Sequence, residues 1–151
     1  MLRHAYLEDL GFNYILASEP FSLDELYDLV SAPLREPMLP SSGKPVLMDF
    51  REVDLTRLTE PDLRRFLMRK SVLPKNITDI PVAYVVGTLQ DQALIRMASM
   101  YSDLSGVTNE DRITITEVLS EAVSWLMQHT GGNTPPADHE TRLRSVAGQG
   151  G

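Results

Sequence analysis

The chain has 151 residues, 42% of them hydrophobic, no cysteine and a formal net charge of −7, a length that supports one domain with a real core. The missing cysteines exclude disulfides, thiol nucleophiles and Cys-based metal centres, and the acidic balance argues against nucleic-acid binding, which needs basic surface to displace counterions. No apolar run approaches the ~20 residues of a membrane span and the first residues carry acids without the apolar stretch of a signal peptide, so the expectation is a soluble cytoplasmic protein.

Residues 3–9 alternate loosely and residues 12–17 are rich in β-formers, with Gly11 between them, which predicts an antiparallel hairpin. Ser22 then opens a helix to about Ala32. Glu25 completes a capping box, Phe21 and Leu26 can form a hydrophobic staple, and Leu23, Leu26, Tyr27 and Val30 make one apolar face. Pro33 ends that helix, and residues 36–45, rich in Pro, Ser and Gly, read as a loop. Val46 to Met48 is an apolar run short enough to be a strand buried on both faces. A charged turn follows, and a second helix opens with Thr59 as N-cap and Glu60, Pro61 and Asp62 in its first turn. Proline suits that turn because its missing N–H would be unpaired there anyway, and acids complement the positive end of the helix dipole. Leu63, Phe66 and Leu67 form its inner face, and the helix runs to about Lys70.

Pro74 and Asn76 mark the next turn, and residues 81–87 read as a second buried parallel strand. Thr88 caps a third helix, with Asp91 at its third position. Leu94, Met97, Ala98 and Tyr101 form its buried stripe, and Gly106 its stop. Ile113 and Ile115 alternate as a short edge strand. Thr116 caps a fourth helix with Val118, Ala122, Trp125 and Leu126 inward, His129 in its last turn and Gly131-Gly132 at its end. Beyond it only Leu143 and Val146 are larger aliphatics, too few to offset ordering entropy. The expected chain is an α/β domain over residues 1–129 and a flexible polar tail over 130–151. The domain has a mixed, mostly parallel sheet of about five strands with four helices, in the order ββαβαβαβα, with right-handed crossovers.

This order, with Val46-Leu-Met-Asp-Phe-Arg-Glu-Val-Asp-Leu55 as central strand and turn, resembles the STAS fold of bacterial anti-sigma-factor antagonists. It is closer to the divergent STAS-like group of small bacterial proteins. The likeness rests on the turn at residues 49–55, on Val82-Ala-Tyr-Val85 and on Glu121-Ala-Val-Ser-Trp-Leu126, and covers about residues 1–129. It implies a domain that docks a protein partner through the turn between the third strand and the second helix. The antagonists carry Asp-Ser-Ser-Gly there, with a phosphorylated Ser. This chain has Leu55-Thr-Arg-Leu-Thr-Glu60 instead.

The polar groups at the carboxyl end of the central strand are the first candidates, since parallel sheets expose their functional groups there. Asp49, Glu52 and Asp54 are open to acid–base work or a cation, or to a plainer role as solvated acids of a turn. Thr56 and Thr59 are candidate phospho-acceptors, with Thr59 also accounted for as an N-cap. Arg64, Arg65, Arg69, Lys70 and Lys75 stand in twelve positions without an acid, a local basic patch on an acidic chain. Met68, Met97, Met100, Met127 and Trp125 read as core. His4, His129 and His139 have no metal-ligand spacing, so no metal or cofactor is expected. No nucleophile, base and orienting group assemble, which ranks an enzyme last. The expected function is a non-catalytic protein-interaction module in bacterial regulation or signalling. It would dock an unknown partner, or a second copy, through Asp54, Thr56, Arg57, Thr59, Arg64, Arg65 and Arg69. The alternative is a binder of a small apolar or acyl ligand, which needs an internal cavity.

Overall fold

The computed structural model describes residues 1–104, 112–130 and 143, without the side chains of 101–104. The elements run β1 (Leu2–Leu7), β2 (Phe12–Ser18), α1 (Leu23–Val30), α2 (Ala32–Arg35), β3 (Val46–Glu52), a 3-10 turn (Leu55–Arg57), α3 (Glu60–Ser71), α4 (Lys75–Thr78), β4 (Val82–Val85), α5 (Leu89–Leu104), β5 (Ile113–Thr116) and α6 (Leu119–Thr130). The chain is α/β, with one mixed five-stranded sheet in the order β1-β2-β3-β4-β5. β1 is antiparallel to β2, and β2 through β5 are parallel. The hairpin closes on Gly11 at φ +79°, a left-handed conformation that glycine takes without steric cost.

Two one-turn helices, α2 and α4, add to the four expected. Pro33 does not stop the chain in an open loop; it sits in the first turn of α2, where its missing N–H costs nothing. Pro74 likewise opens α4 instead of a bare turn. Ser22 caps α1 by accepting from the Glu25 N–H at 3.1 Å. The reciprocal half of the capping box is absent, because the Glu25 carboxylate bonds the Leu2 N–H of β1 instead.

Both faces of β2 and β3 are buried, by different means. Crossovers of one hand between strands in sequential order place their helices on one side of a sheet. Accordingly α1, α3 and α5 cover the face of Ile15, Ala17, Met48, Phe50 and Val86. α6 follows the last strand, crosses nothing, and packs on the other face against Phe12, Tyr14, Leu16, Leu47, Ala83 and Val85. Leu119, Ala122, Val123, Leu126 and Met127 form its buried side, with Trp125 packed at the margin.

Four residues expected to face inward are exposed: Met97, Met68, Met100 and Val118. On α5 the buried stripe is Asp91, Leu94, Ile95 and Ala98, while Met97 is 58% exposed. The polar residue inside the stripe disguised its phase. Met68 and Met100, also read as core, are 61% and 60% exposed. Val118 is exposed because it precedes the first turn of α6, whose cap is not Thr116: the Thr116 hydroxyl accepts from the Val118 N–H at 3.0 Å one step earlier. Of the expected tail, Thr130 ends α6, and Leu143 is only 1% exposed within the α6 core. The rest of that tail, His139 included, lies outside the described residues, as do Gly106 and Gly131-Gly132. Among the described residues no helix is long and apolar enough to cross a membrane.

Candidate functional site

Val53 and Leu55 are buried and pin the turn after β3 to the core, leaving Asp54, Thr56, Arg57 and Thr59 exposed between and beyond them. The Asp54 carboxylate accepts from the Thr56 N–H at 3.1 Å and from its hydroxyl, which caps the 3-10 turn. Thr59 accepts from the Asp62 N–H at 3.3 Å and caps α3, as its position implies. One ordered turn therefore brings these four expected residues together, with Arg64 and Arg65 on the adjoining outer face of α3.

The basic patch is not the uncompensated one the sequence presents. Arg64 pairs with Glu60 at 2.5 Å and Arg65 with Asp62 at 3.3 Å, both one helical turn away. Arg69 reaches Asp24 on α1 at 3.0 Å and lays its guanidinium 3.8 Å from the centre of the Tyr27 ring. It ties α3 to α1. Arg57 is exposed and has no ion-pair partner among the described residues.

The acids of the β3 end are not a solvated trio. Asp49 is 0% exposed and faces α6. It accepts from the Tyr14 hydroxyl at 2.7 Å and from Arg51 Nε and Nη2 at 2.9 and 2.8 Å. Burial alone would raise the Asp49 carboxyl; the Arg51 and Tyr14 hydrogen bonds and the Arg51 charge together outweigh it and hold the carboxyl below its usual range. The buried carboxylate is thus fully partnered, with Arg51 reaching it from the partly exposed side. Next to it, a Cβ on Gly87 would lie 3.2 Å from the Arg51 carbonyl oxygen, so the missing side chain lets the β4–α5 turn close against β3.

Asp91, in the first turn of α5 behind the Thr88 cap, is 2% exposed and has one carboxylate oxygen with no hydrogen-bond partner. Burial and the neighbouring Asp54 charge raise its carboxyl, offset in part by the Thr88 hydroxyl and the Leu55 and Thr56 amides. The described residues contain no group of three or more His, Asp or Glu that could hold a metal ion.

Beneath α3 the packing opens. Leu63, Phe66 and Leu67 point toward the sheet as expected, yet α3 has no fully buried residue. A cavity of about 90 Å³ lies between its inner face and the sheet, bounded by Phe21, Leu26, Phe50, Tyr84 and Ile95 among others. A second space of about 240 Å³ continues along the same sheet face toward α2 and Gly43. Val30, Met48, Lys70 and Tyr84 line both. The walls are mostly aliphatic and aromatic. Phe50 stacks on Tyr84 with ring centres 6.1 Å apart, and Phe21 meets Phe50 edge-on at 5.7 Å.

Lys70 and Tyr84 are the polar side chains common to both spaces; Ser99 also lines the smaller one, and His4, Asn13, Glu36, Lys44 and Thr78 are among those lining the larger. Burial pushes the Lys70 ammonium down and raises the Tyr84 hydroxyl to about 12. Neither side chain has a hydrogen bond or an ion pair with any described residue. In the sequence Lys70 reads as one charge of the basic patch. Its true placement was available from spacing: Leu63, Phe66, Leu67 and Lys70 fall at i, i+3, i+4 and i+7, which puts the lysine on the inner face. Tyr84 shares strand parity with Val82 and Val86, which places it on the same side.

No family model, no curated protein and no solved structure matches the chain.

Proposed function

We propose that this protein is a non-catalytic binding module that takes up a small apolar ligand between its sheet and the helices α1, α3 and α5. The observation that carries the reading is the space of about 90 Å³ beneath α3, a helix with no fully buried residue, beside a second space of about 240 Å³ that shares Val30, Met48, Lys70 and Tyr84 with it. Natural cores are close-packed, and voids larger than a water are few. The larger space, about 240 Å³, comes close to the ~300 Å³ at which small-ligand pockets begin. The reading is tested by native mass spectrometry of protein purified from cells. A bound mass that organic extraction removes is expected in the wild type and not in Ala98→Phe, which places a ring in the smaller space. The same mass in both, or none in either, defeats it.

The second reading is a protein-interaction module of bacterial regulation or signalling, STAS-like in kind, docking through the β3–α3 turn. It is favoured by the exposed run of Asp54, Thr56, Arg57 and Thr59 beside an α3 face on which Met68 stands exposed next to Arg65. Glu60 and Asp62 already pair two of the arginines, so an acidic partner has to compete with them, and Arg57 is the better steering charge. Phosphorylation of Thr59 would set a dianion at the N-terminus of α3, where the helix amides favour it, and phosphorylation of Thr56 would set a second anion against Asp54. A pull-down comparing wild type with Arg57→Glu and with Arg64→Glu/Arg65→Glu addresses it, with a second copy of the chain as one partner to look for. Unchanged recovery of a partner by both folded variants removes this surface from consideration.

A further inference from the structure

We propose that β1 is a self-complementary edge through which two copies of this chain join, antiparallel about a twofold axis at Ala5, into one continuous sheet. β1 is the outermost strand and pairs only with β2 among the described residues. That pairing fixes which of its backbone groups are used. Ser18 donates to the Met1 carbonyl at 2.9 Å, and Gly11 to the Leu7 carbonyl at 2.7 Å. Bonded residues alternate along an antiparallel ladder, so Met1, Arg3, Ala5 and Leu7 turn their backbone groups toward β2, and Leu2, His4 and Tyr6 turn theirs outward. The Leu2 N–H is taken by the Glu25 carboxylate at 2.5 Å. The backbones of His4 and Tyr6 have no hydrogen-bond partner among the described residues. Edge strands are normally shielded from further pairing by proline, bulges or charge. β1 has six residues, none of them proline or acidic, and it pairs with β2 at six successive positions without a bulge.

The free groups select both the partner and its register. The Arg3 axis would set two guanidinium groups opposite each other and leave Tyr6 unpaired. An axis at His4 needs the Leu2 N–H, which Glu25 already holds, and sets imidazole against imidazole. An axis at Tyr6 pairs His4 with Glu8, beyond the end of the strand. The Ala5 axis pairs each His4 with Tyr6 of the second copy, and the two residues of such a pair exchange both of their N–H···O bonds. It satisfies every N–H and C=O of His4 and Tyr6 and calls on no group already bonded. The side chains suit the same register. Opposite residues of a pair without hydrogen bonds approach most closely, with Cα atoms about 4.5 Å apart, and two alanine methyls meet there. On the other face each His4 ring lies across from a Tyr6 ring, an aromatic cross-strand pair of the kind that stabilises sheets. The contact is small, so the dimer is a reversible one of micromolar to millimolar strength. It needs neither the cavity ligand nor the β3–α3 turn of the readings above.

Sedimentation equilibrium of the full chain tests this by exchanging charge at the axis. The wild type is expected to dimerise reversibly. Ala5 is half-buried, so a longer side chain there can reach solvent. Ala5→Glu and Ala5→Lys each set like charges face to face and are expected to weaken the dimer about fivefold, and an equimolar mixture of the two to regain wild-type association as a heterodimer. A wild type that stays monomeric to millimolar concentration overturns the proposal, whether or not a foreign strand binds the edge. So does a dimer that both variants leave unchanged, or a mixture that associates no better than its components. A measurement on the wild type alone guards against variants that do not fold. The amide protons of His4 and Tyr6 should move downfield in the NMR spectrum as protein concentration rises, by more than those of Arg3 and Ala5, which β2 already holds. Shifts at Arg3 and Ala5 as large as those at His4 and Tyr6, or no shifts in β1, overturn it.

Discussion

The two faces of the sheet are built to different standards. On the α6 face Phe12, Tyr14, Leu47, Ala83, Val85, Ala122 and Leu126 are closed from solvent, and Leu143 joins them from beyond the helix. On the other face three helices share the cover, and α3 contributes only half-buried side chains over an open space. The contrast has a topological cause. α6 joins no two strands of the described sheet and can settle along it. α3 is fixed at both ends, by the Thr59 cap after the Leu55 anchor and by the turn into α4, and Arg69 binds it laterally to α1. It spans the sheet without sinking onto it.

If the two faces differ in this way, truncating a side chain should cost more on the α6 side. Leu126→Ala is expected to lose about 3 kcal/mol, within the range for a fully buried leucine. Leu67→Ala, at the cavity, is expected to lose about 1 kcal/mol, because much of its surface is already free. Chemical denaturation of the two variants measures the difference, and equal losses break the comparison.

Enlargement should reverse the order. Ala83→Leu pushes into a closed core and is expected to cost about 2 kcal/mol, as overpacking does. Ala98→Leu fills existing space and is expected to gain about 0.5 kcal/mol in the ligand-free protein. A loss from Ala98→Leu comparable with that from Ala83→Leu would mean that the space under α3 closes in solution.

The smallest effects are electrostatic, and the faces oppose each other in sign. Asp49, on the α6 side, is depressed below its unfolded 3.8, so its stabilisation is present above 3.8 and is lost as pH falls through the folded value. Asp91, on the α5 side, is raised above 3.8. The folded chain then holds that proton more tightly than the unfolded chain, and stability declines as pH rises from 3.8 through the folded value. Asp91→Asn should therefore gain stability over wild type at neutral pH, a gain that fades well below pH 3.8, whereas Asp49→Asn should lose stability at neutral pH. Denaturation midpoints at the two pH values check both signs.

Much of this fold was legible in local chemistry. The Thr59 and Thr88 caps, the Gly11 turn and the two apolar strands all state their roles within a few residues. Facing was harder. Met97 reads as inward because Asp91, a member of the buried α5 stripe, is polar and breaks the apolar phase that periodicity detects. The arginine patch misled for a different reason: Asp24, which binds Arg69, is 45 residues away, and no local window contains it. The cavity has no sequence signature at all, since a void is a property of how helices meet. Its lysine does have one, at the seventh position after Leu63, but a charge within a basic run is easily read as surface.

The buried Asp49 has a consequence for how the sheet assembles. β2 is buried at six consecutive positions, so hydrophobicity gives no instruction about which of its residues should lie beside which residue of β3. Sliding β3 by one residue would exchange one apolar set for another at little cost over most of its length, but not at Asp49. Asp49, now beside Leu16 and bonded to Tyr14, would be turned away from Tyr14 and toward the face covered by α1, α3 and α5. The carboxylate thus acts as an address within a largely apolar stretch of chain. Exchanging it for leucine would leave a sheet with enough grease to form and too little information to form in only one way.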